Sequence, residues 1–576
     1  MKFEDIEKYY KRIDIISEAN LINFYATRLA RTKSFDEKNS LIRAVDIIKR
    51  RYDSFYEYVF IRYTQDTTNK FFSDEFNYFE ANEDEFNKAC VKFAQTLLDD
   101  DDLDRLKKRW GKYFFDKLEI MQNLYSKDVI GLNINENKIL KEIIDYRDSQ
   151  EIYCDDEKIT NKNLAKYISL PDREKRKKLM IAMNNNNAQN KEYYAEKYRD
   201  LVVIRHKIAK RLGFDGYLDF SDKDRCRIDY DHNDIIGFRN AIKKYLASNA
   251  HTISDIQKDK LGIDALYTYD LRVYFKDYNP MPLKDPYLLL KTIANNLERY
   301  NPYLSKIINK IFDENSLDLE PRANKVNMTY ASYLHNYDIS YIFTNYKGSD
   351  KDFSNFITCL SYTLINYVSS YNELIEYTNP QDDIVRAYST AFSFIILSFA
   401  DELFTKDAKK YALAYKIKVL YDILFYCLIN EFEESLYLDI KTDVDERYEI
   451  FRQLHSEYFP FLKIEQDVFD VGMWWLNYHT LFNTPMLSIN YALGALSGLD
   501  YYNNFTDDRE NALKKMTTLM ENASKEDFLK SIELSGLKNP FIEENIKDIV
   551  IKYIDNLASE YKKNIEGSGS LYFSLY

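Results

Sequence analysis

The stretch that decides the fold is Pro321–Tyr371, PRANKVNMTYASYLHNYDISYIFTNYKGSDKDFSNFITCLSYTLINYVSSY. It opens as a loop with the pattern PR…K. A short strand follows at Tyr341–Phe343, then an Asn-aromatic-x-Gly turn at Asn345–Gly348. Beyond the turn, apolar residues recur at spacings of three and four, as on one face of an amphipathic helix. The order is loop, strand, turn, helix.

Helical periodicity dominates outward from this stretch. Asn39–Tyr63 places Leu41, Val45, Ile48, Tyr52, Tyr56 and Phe60 on one face of a predicted long helix. Phe86–Leu97, Asp104–Asn123 and Asn135–Tyr146 repeat the pattern, and helical character returns from Phe353 to Leu557. Glu151–Leu170 reads as a hairpin followed by a helix, and Glu320–Thr344 as a second region with strands. The acidic run Leu98–Asp104 reads as a solvated turn and helix start rather than a calcium loop, since it lacks the loop's glycine and terminal glutamate. Asn184–Asn187 reads as a bland helix surface. No solenoid period is present.

The bulk numbers agree. The chain has 576 residues, 45% hydrophobic and 30% charged, enough for several cores or one large two-part body. Only 13 glycines and 10 prolines argue for helices joined by short connections. A net charge of −13, spread along the chain, disfavours nucleic acid as a partner. Cys90, Cys154, Cys226, Cys359 and Cys427 are far apart and form no CxxC pair, which disfavours a disulfide framework or a cysteine zinc site. The start, MKFEDIEKYYKR, lacks an apolar core, and the longest apolar run, Ala391–Ala400, is too short to span a bilayer. A cytoplasmic setting without membrane partners is expected.

Six stretches resemble the oligoendopeptidase F group of thimet-like zinc metallopeptidases, in the order in which that family carries them. They are Asp172–Met180 (DREKRKKLM), Leu201–Asp219 (LVVIRHKIAKRLGFDGYLD), Leu261–Asp270 (LGIDALYTYD), Pro321–Asp352, Asn430–Tyr437 (NEFEESLY) and Trp474–Gly494 (WWLNYHTLFNTPMLSINYALG). The resemblance covers nearly the whole chain. It implies a mainly α fold: a two-lobed helical ellipsoid with a deep central channel and a small β element near the active site. The domain division expected from it is 1–200 for an N-terminal helical lobe and 201–566 for a peptidase-like helical body.

That family's chemistry needs H-E-x-x-H, two histidines one helical turn apart with a glutamate as general base, and a third ligand Glu on a later helix. No H-E-x-x-H occurs in this sequence, and no two of its six histidines lie three or four apart. Aligning from the Asn345–Gly348 turn puts Thr358 and Tyr362 at the two histidine positions and Cys359 at the general base. The E-x-x-S of the third-ligand helix falls on Arg386–Ser389, so Arg386 replaces the ligand Glu, and Ser393 replaces that helix's second Glu. Structural zinc binding is worth on the order of 10–16 kcal/mol, and three missing ligands forfeit most of it. No metal or cofactor is therefore expected, although zinc is the family's. The substrate-backbone loop, G-G-Y in the family, is Met328–Tyr330, which keeps Tyr330. The C-terminal segment keeps His479 and Tyr491, with Leu487 at a tyrosine position.

The reading that follows is a pseudo-peptidase that binds a peptide or a protein partner through the family's channel. Its candidate binding residues are Arg386, Tyr330, His479, Tyr491 and Asn345. An active oligoendopeptidase, with displaced zinc ligands or with non-metal chemistry at Cys359 and His479, is the rival. A purely structural interaction protein is the third reading. His479 and Tyr491 also read as packing residues of a helical core. Gly567–Ser570 (GSGS) reads as a flexible linker to an aromatic tail carrying Leu571, Tyr572, Phe573 and Tyr576, which would dock in this chain's own groove or a partner's. An active relative is a second candidate partner.

Overall fold

A computed structural model describes residues 1–160, 164–465 and 469–566; of residues 165, 166 and 564–566 it describes the backbone alone. The tail residues Leu571, Tyr572, Phe573 and Tyr576 lie outside the described residues. Helices dominate, with two small sheets, so the mainly α class with a minor β element is the observed one.

The described chain divides into two compact units, each built from three segments. The first takes residues 1–125, 281–405 and 508–537; the second takes 126–280, 406–507 and 538 onward. The boundary expected at residue 200 falls inside the 39-residue helix Arg173–Arg211. Of the crossings at 125, 280, 405, 507 and 537, the one at 280 is marked in the sequence, by Pro280, Pro282 and Pro286.

In the first unit, the predicted helix over 39–63 runs from Phe35 to Gln65, started by Ser34, whose side chain accepts from the Glu37 amide. Leu41, Val45 and Ile48 are buried with Phe79, Phe86 and Phe93 of the Lys70–Leu98 helix. Tyr52 stacks on Phe86 with ring centres 3.9 Å apart.

The helix expected over 104–123 breaks at Gly111 into Leu103–Trp110 and Lys112–Leu124. Gly111 has φ +90°, and a Cβ there would stand 2.4 Å from the Tyr377 hydroxyl. That hydroxyl donates to the Trp110 carbonyl at 2.6 Å and accepts from the Phe114 amide at 3.2 Å. It takes over backbone groups that the break would otherwise orphan.

The acidic run at 98–104 is not simply solvated. Lys38, nearly fully buried, donates to Asp100 at 2.6 Å and to Asp102 at 3.0 Å. Two acids of the run answer a buried ammonium, because an unpaired one would be costly.

The first unit's sheet has three strands, with Ile339–Phe343 in the middle. β3 (Leu317–Asp318) pairs parallel with β5 (Ile339–Phe343), and β4 (Tyr330–Leu334) pairs antiparallel with β5, Tyr330 opposite Phe343. Every residue of β5 is buried. The PR…K loop is tied to this sheet: Arg322 grips both carboxylate oxygens of Asp318, and Lys325 donates to Asp318 Oδ1 and to the carbonyls of Asp318, Glu320 and Thr344. After β5 the chain turns through Gly348 at φ +82° into the helix Asp350–Ser369. Ser349 caps that helix, accepting from the Asp352 amide while Asp352 accepts from the Ser349 amide.

The second unit is helical around Arg173–Arg211 and Ala408–Leu438. Its small sheet is the hairpin expected in 151–170, β1 (Ile152–Cys154) against β2 (Glu157–Ile159). Buried charges join the stretches that carry the resemblance. Asp270, fully buried, receives Arg173 at 2.7 Å and Arg176 at 2.8 Å. Arg205 donates to Glu136 at 2.7 Å, to the Tyr437 hydroxyl at 3.1 Å and to the Phe482 carbonyl.

Candidate functional site

The site is built on the Asp350–Ser369 helix and the Asp382–Ile396 helix packed against it, both in the first unit. Thr358, Tyr362 and Asn366 follow one another at intervals of four, along one helix face. Thr358 is half-buried, and its hydroxyl donates to the Ser354 carbonyl at 3.1 Å, one turn back. Cys359 points away into the core at 8% exposure, and burial pushes its thiol up to about 12. A thiol needs a positive or basic neighbour to become thiolate at neutral pH; here desolvation alone acts on it. Arg386, on the second helix, is half-buried.

Tyr362 is half-buried, and its phenol is pushed up to about 12, first by desolvation and then by the fields of Glu57, Asp382 and Asp53, while Asn366 opposes the shift. Asp53 and Glu57 come from the Phe35–Gln65 helix. Burial first, then Glu57, raises Asp53 to about 8, with Arg50 opposing. Burial also raises Glu57, against the hydroxyl of Ser332 in β4. His335 follows β4. Burial, helped by Arg50, lowers it to about 3, so it is neutral at physiological pH. Its Nδ1 faces Arg50 Nη1 at 3.4 Å, which leaves the proton on Nε2, 3.6 Å from Asp53 Oδ2.

The sequence singled out neither Asp53 and Glu57 nor His335. Two acids four apart on a helix ordinarily mark a solvated face. The available signal was their like charge, which disfavours that spacing in a helix.

The remaining candidates have defined surroundings. Tyr330 stacks on Phe343, ring centres 4.8 Å apart, and its hydroxyl shares a 2.6 Å hydrogen bond with Thr64. Asn345 donates to the Val326 carbonyl at 2.9 Å and the Met328 carbonyl at 3.4 Å, holding the loop before β4. His479 and Tyr491 belong to the second unit. His479 is exposed at the start of the short helix Thr480–Asn483, not packed in a core, and its Nδ1 accepts from Arg147. Tyr491 is half-buried and meets Tyr426 edge-on at 5.4 Å.

Residues 3–125 match the Peptidase M3 N-terminal domain and residues 166–365 match Peptidase family M3, together more than half of the chain. The chain belongs to peptidase family M3. Its M3 match ends at Ile365, within the helix that carries Thr358 and Tyr362. No curated protein sequence matches it. Among solved structures, the M3 chain is similar to PZ peptidase A solved with an inhibitor, at TM-score 0.87 and 22% identity, covering 96% of this chain and 98% of that one. A structure assigned to oligoendopeptidase F from Bacillus anthracis str. Ames gives TM-score 0.84 and 22% identity, covering 96% and 98%. Oligoendopeptidase F from Enterococcus faecium gives TM-score 0.62 and 11% identity over 96% and 98%. These likenesses show the M3 fold.

Zinc is the metal that the fold family implies. The four residues that the sequence reading sets against the family's metal site, Thr358, Cys359, Tyr362 and Arg386, offer a back-bonded hydroxyl, a buried thiol, a phenol with a raised pKa and a guanidinium without a lone pair. That donor set does not fit zinc. Among the described residues, no three His, Cys, Asp or Glu side chains gather as a metal ion would require. No described helix is long and apolar enough to cross a membrane.

Proposed function

We propose that this M3-family protein is a pseudo-peptidase: it binds peptides, or a partner through a peptide-like segment, without zinc-dependent cleavage. The observation that carries the reading is the set Thr358, Cys359, Tyr362 and Arg386 at the positions aligned with the family's metal-binding groups. None of the four presents an imidazole or a carboxylate, and Cys359 is buried with a raised pKa. The raised pKa also weighs against the thiol chemistry of the rival reading, since the thiolate is the nucleophile. Retention of the M3 fold without those groups supports binding in place of cleavage. The aromatic tail at 571–576 and an active M3 relative are candidate partners, in a cytoplasmic setting.

Zinc content is measured by mass spectrometry after incubation with excess zinc and desalting. The expected content is below about a tenth of an equivalent, whereas a site as tight as structural zinc sites would hold its metal through desalting. About one equivalent, with cleavage of quenched peptides, would return the protein to the active metallopeptidases.

A further inference from the structure

A cavity of about 380 Å³ lies within the second unit, between the β1-β2 hairpin and the Arg173–Arg211 helix. That volume is at the small end of the range for ligand pockets. One side is formed by residues 151–155, which are β1 and its two flanking residues. The other is formed by Lys178, Ile181, Ala182, Asn185 and Gln189, at helical spacings of three and four. No residue of β2 lines the cavity, so it opens on the side of β1 away from β2.

The register decides which backbone groups face it. Asp155 and Asp156 have φ of +49° and +62°, as in the two-residue turn that closes a tight hairpin. Cys154 and Glu157, which flank the turn, are then a hydrogen-bonded pair, and Tyr153 and Lys158 are the next, non-hydrogen-bonded pair. The N–H and C=O of Tyr153 therefore point outward from β1 on the cavity side, and no backbone group of the described residues meets them. An open strand edge of this kind is a template for another strand.

The helix answers at a matching interval. Asn185 and Gln189 are exposed, line the cavity, and their carboxamides make no hydrogen bond to any described residue. Each carboxamide offers donors and an acceptor. The two stand one helical turn apart, a rise of about 6.0 Å. Outward backbone groups along one edge of a strand recur every two residues, at about 6.7 Å. The charges at the rim are already paired, Lys178 with Asp155 at 2.7 Å and Lys158 with Glu151, so an uncharged occupant suits the cavity better than an ion.

We infer that this cavity binds an uncharged, extended segment of another polypeptide as a third strand of the hairpin's sheet. The segment pairs with Tyr153 along one edge and with Asn185 and Gln189 along the other. The inference goes beyond the pseudo-peptidase reading, since it uses none of Thr358, Cys359, Tyr362 and Arg386.

The probe is acetyl-Thr-Val-Thr-Val-Thr amide, titrated into the full chain by calorimetry up to about 5 mM. The contacts are to backbone, so an uncharged, strand-forming sequence is sufficient. Binding is expected, and methylation of the central amide nitrogen should weaken it about fivefold. Tyr153→Pro should weaken it to a similar degree, because proline at an edge position removes only the outward N–H. Tyr153→Ala keeps that donor and should stay within about twofold of the parent. Asn185→Ala/Gln189→Ala should also lose about fivefold, with the parent's circular dichroism and melting temperature retained. Should Tyr153→Pro fail to fold, the methylated peptide and the double variant decide. No binding by about 5 mM overturns the site. Binding indifferent to methylation and to the variants also overturns it, while leaving peptide binding elsewhere, and the pseudo-peptidase reading, standing. A dimer in sedimentation that Tyr153→Pro splits and Tyr153→Ala does not would give the edge to a second copy of this chain and overturn the proposal.

Discussion

The ammonium of Lys325 lies 2.8 Å from Oδ1 of Asp318, inside the first unit, where the lysine is 9% exposed. Burial lowers the Lys325 pKa below the ordinary lysine value, and Asp318 opposes that shift. The pair fastens the PR…K loop to the edge of the sheet that leads into the Asp350–Ser369 helix. It is a structural joint rather than a reactive group.

Lys325→Met should therefore destabilise the protein by about 3–5 kcal/mol, the usual cost of leaving one member of a buried ion pair alone. Arg322 remains bidentate on Asp318 and softens the loss. Urea unfolding followed by circular dichroism measures it, and a shift under about 1 kcal/mol would show that the joint is dispensable.

Gly111→Ala should cost roughly 2–4 kcal/mol, combining a left-handed backbone with a collision in a well-packed place. The clash is with the Tyr377 hydroxyl, so Tyr377→Phe in the same chain should relieve part of it. Melting temperatures of the single and double variants provide the check.

Asp53 supplies a pH prediction. Its carboxyl titrates near 3.8 when unperturbed and at about 8 in the folded protein. Between those values the folded form binds more protons than the unfolded form, so this residue's contribution to stability falls as pH rises through the window. Asp53→Asn should melt higher than the parent at neutral pH, with the gap closing below about pH 4. A gap that is flat with pH would place Asp53 in open solvent.

The ligand alignment can be tested by restoration. The fourfold variant Thr358→His/Cys359→Glu/Tyr362→His/Arg386→Glu should take up about one zinc ion where the parent takes none, because it supplies three zinc donors and a base. Zinc uptake by mass spectrometry decides it; a folded variant without zinc refutes the register.

Much of the first unit's architecture was legible because its signals are local. The turn before the Asp350–Ser369 helix needs Gly348 for its left-handed φ and Ser349 with Asp352 for its cap, and both are visible as letters. The hairpin at 152–159 is equally local. What escaped the sequence depends on partners far along the chain. Asp100 and Asp102 look solvated until Lys38 is placed beside them, and Asp53 looks like helix surface until His335 is placed 3.6 Å from its carboxyl. The break at Gly111 is of the same kind, since its Tyr377 partner lies 266 residues on. The two-unit division escaped because each unit is gathered from three separate segments, so that even the proline cluster at 280–286 marks only one of five crossings.

The interleaving of the two units has a consequence for biosynthesis. Residues 508–537 complete the first unit, and the second needs residues beyond 538. Neither can mature while the ribosome is still translating the middle of the message. The core around Phe35–Gln65 and Lys70–Leu98 takes its last members from Leu334 to Leu374, so it closes only after more than three hundred residues have been made. A premature stop before residue 508 would release a chain lacking a segment of each unit.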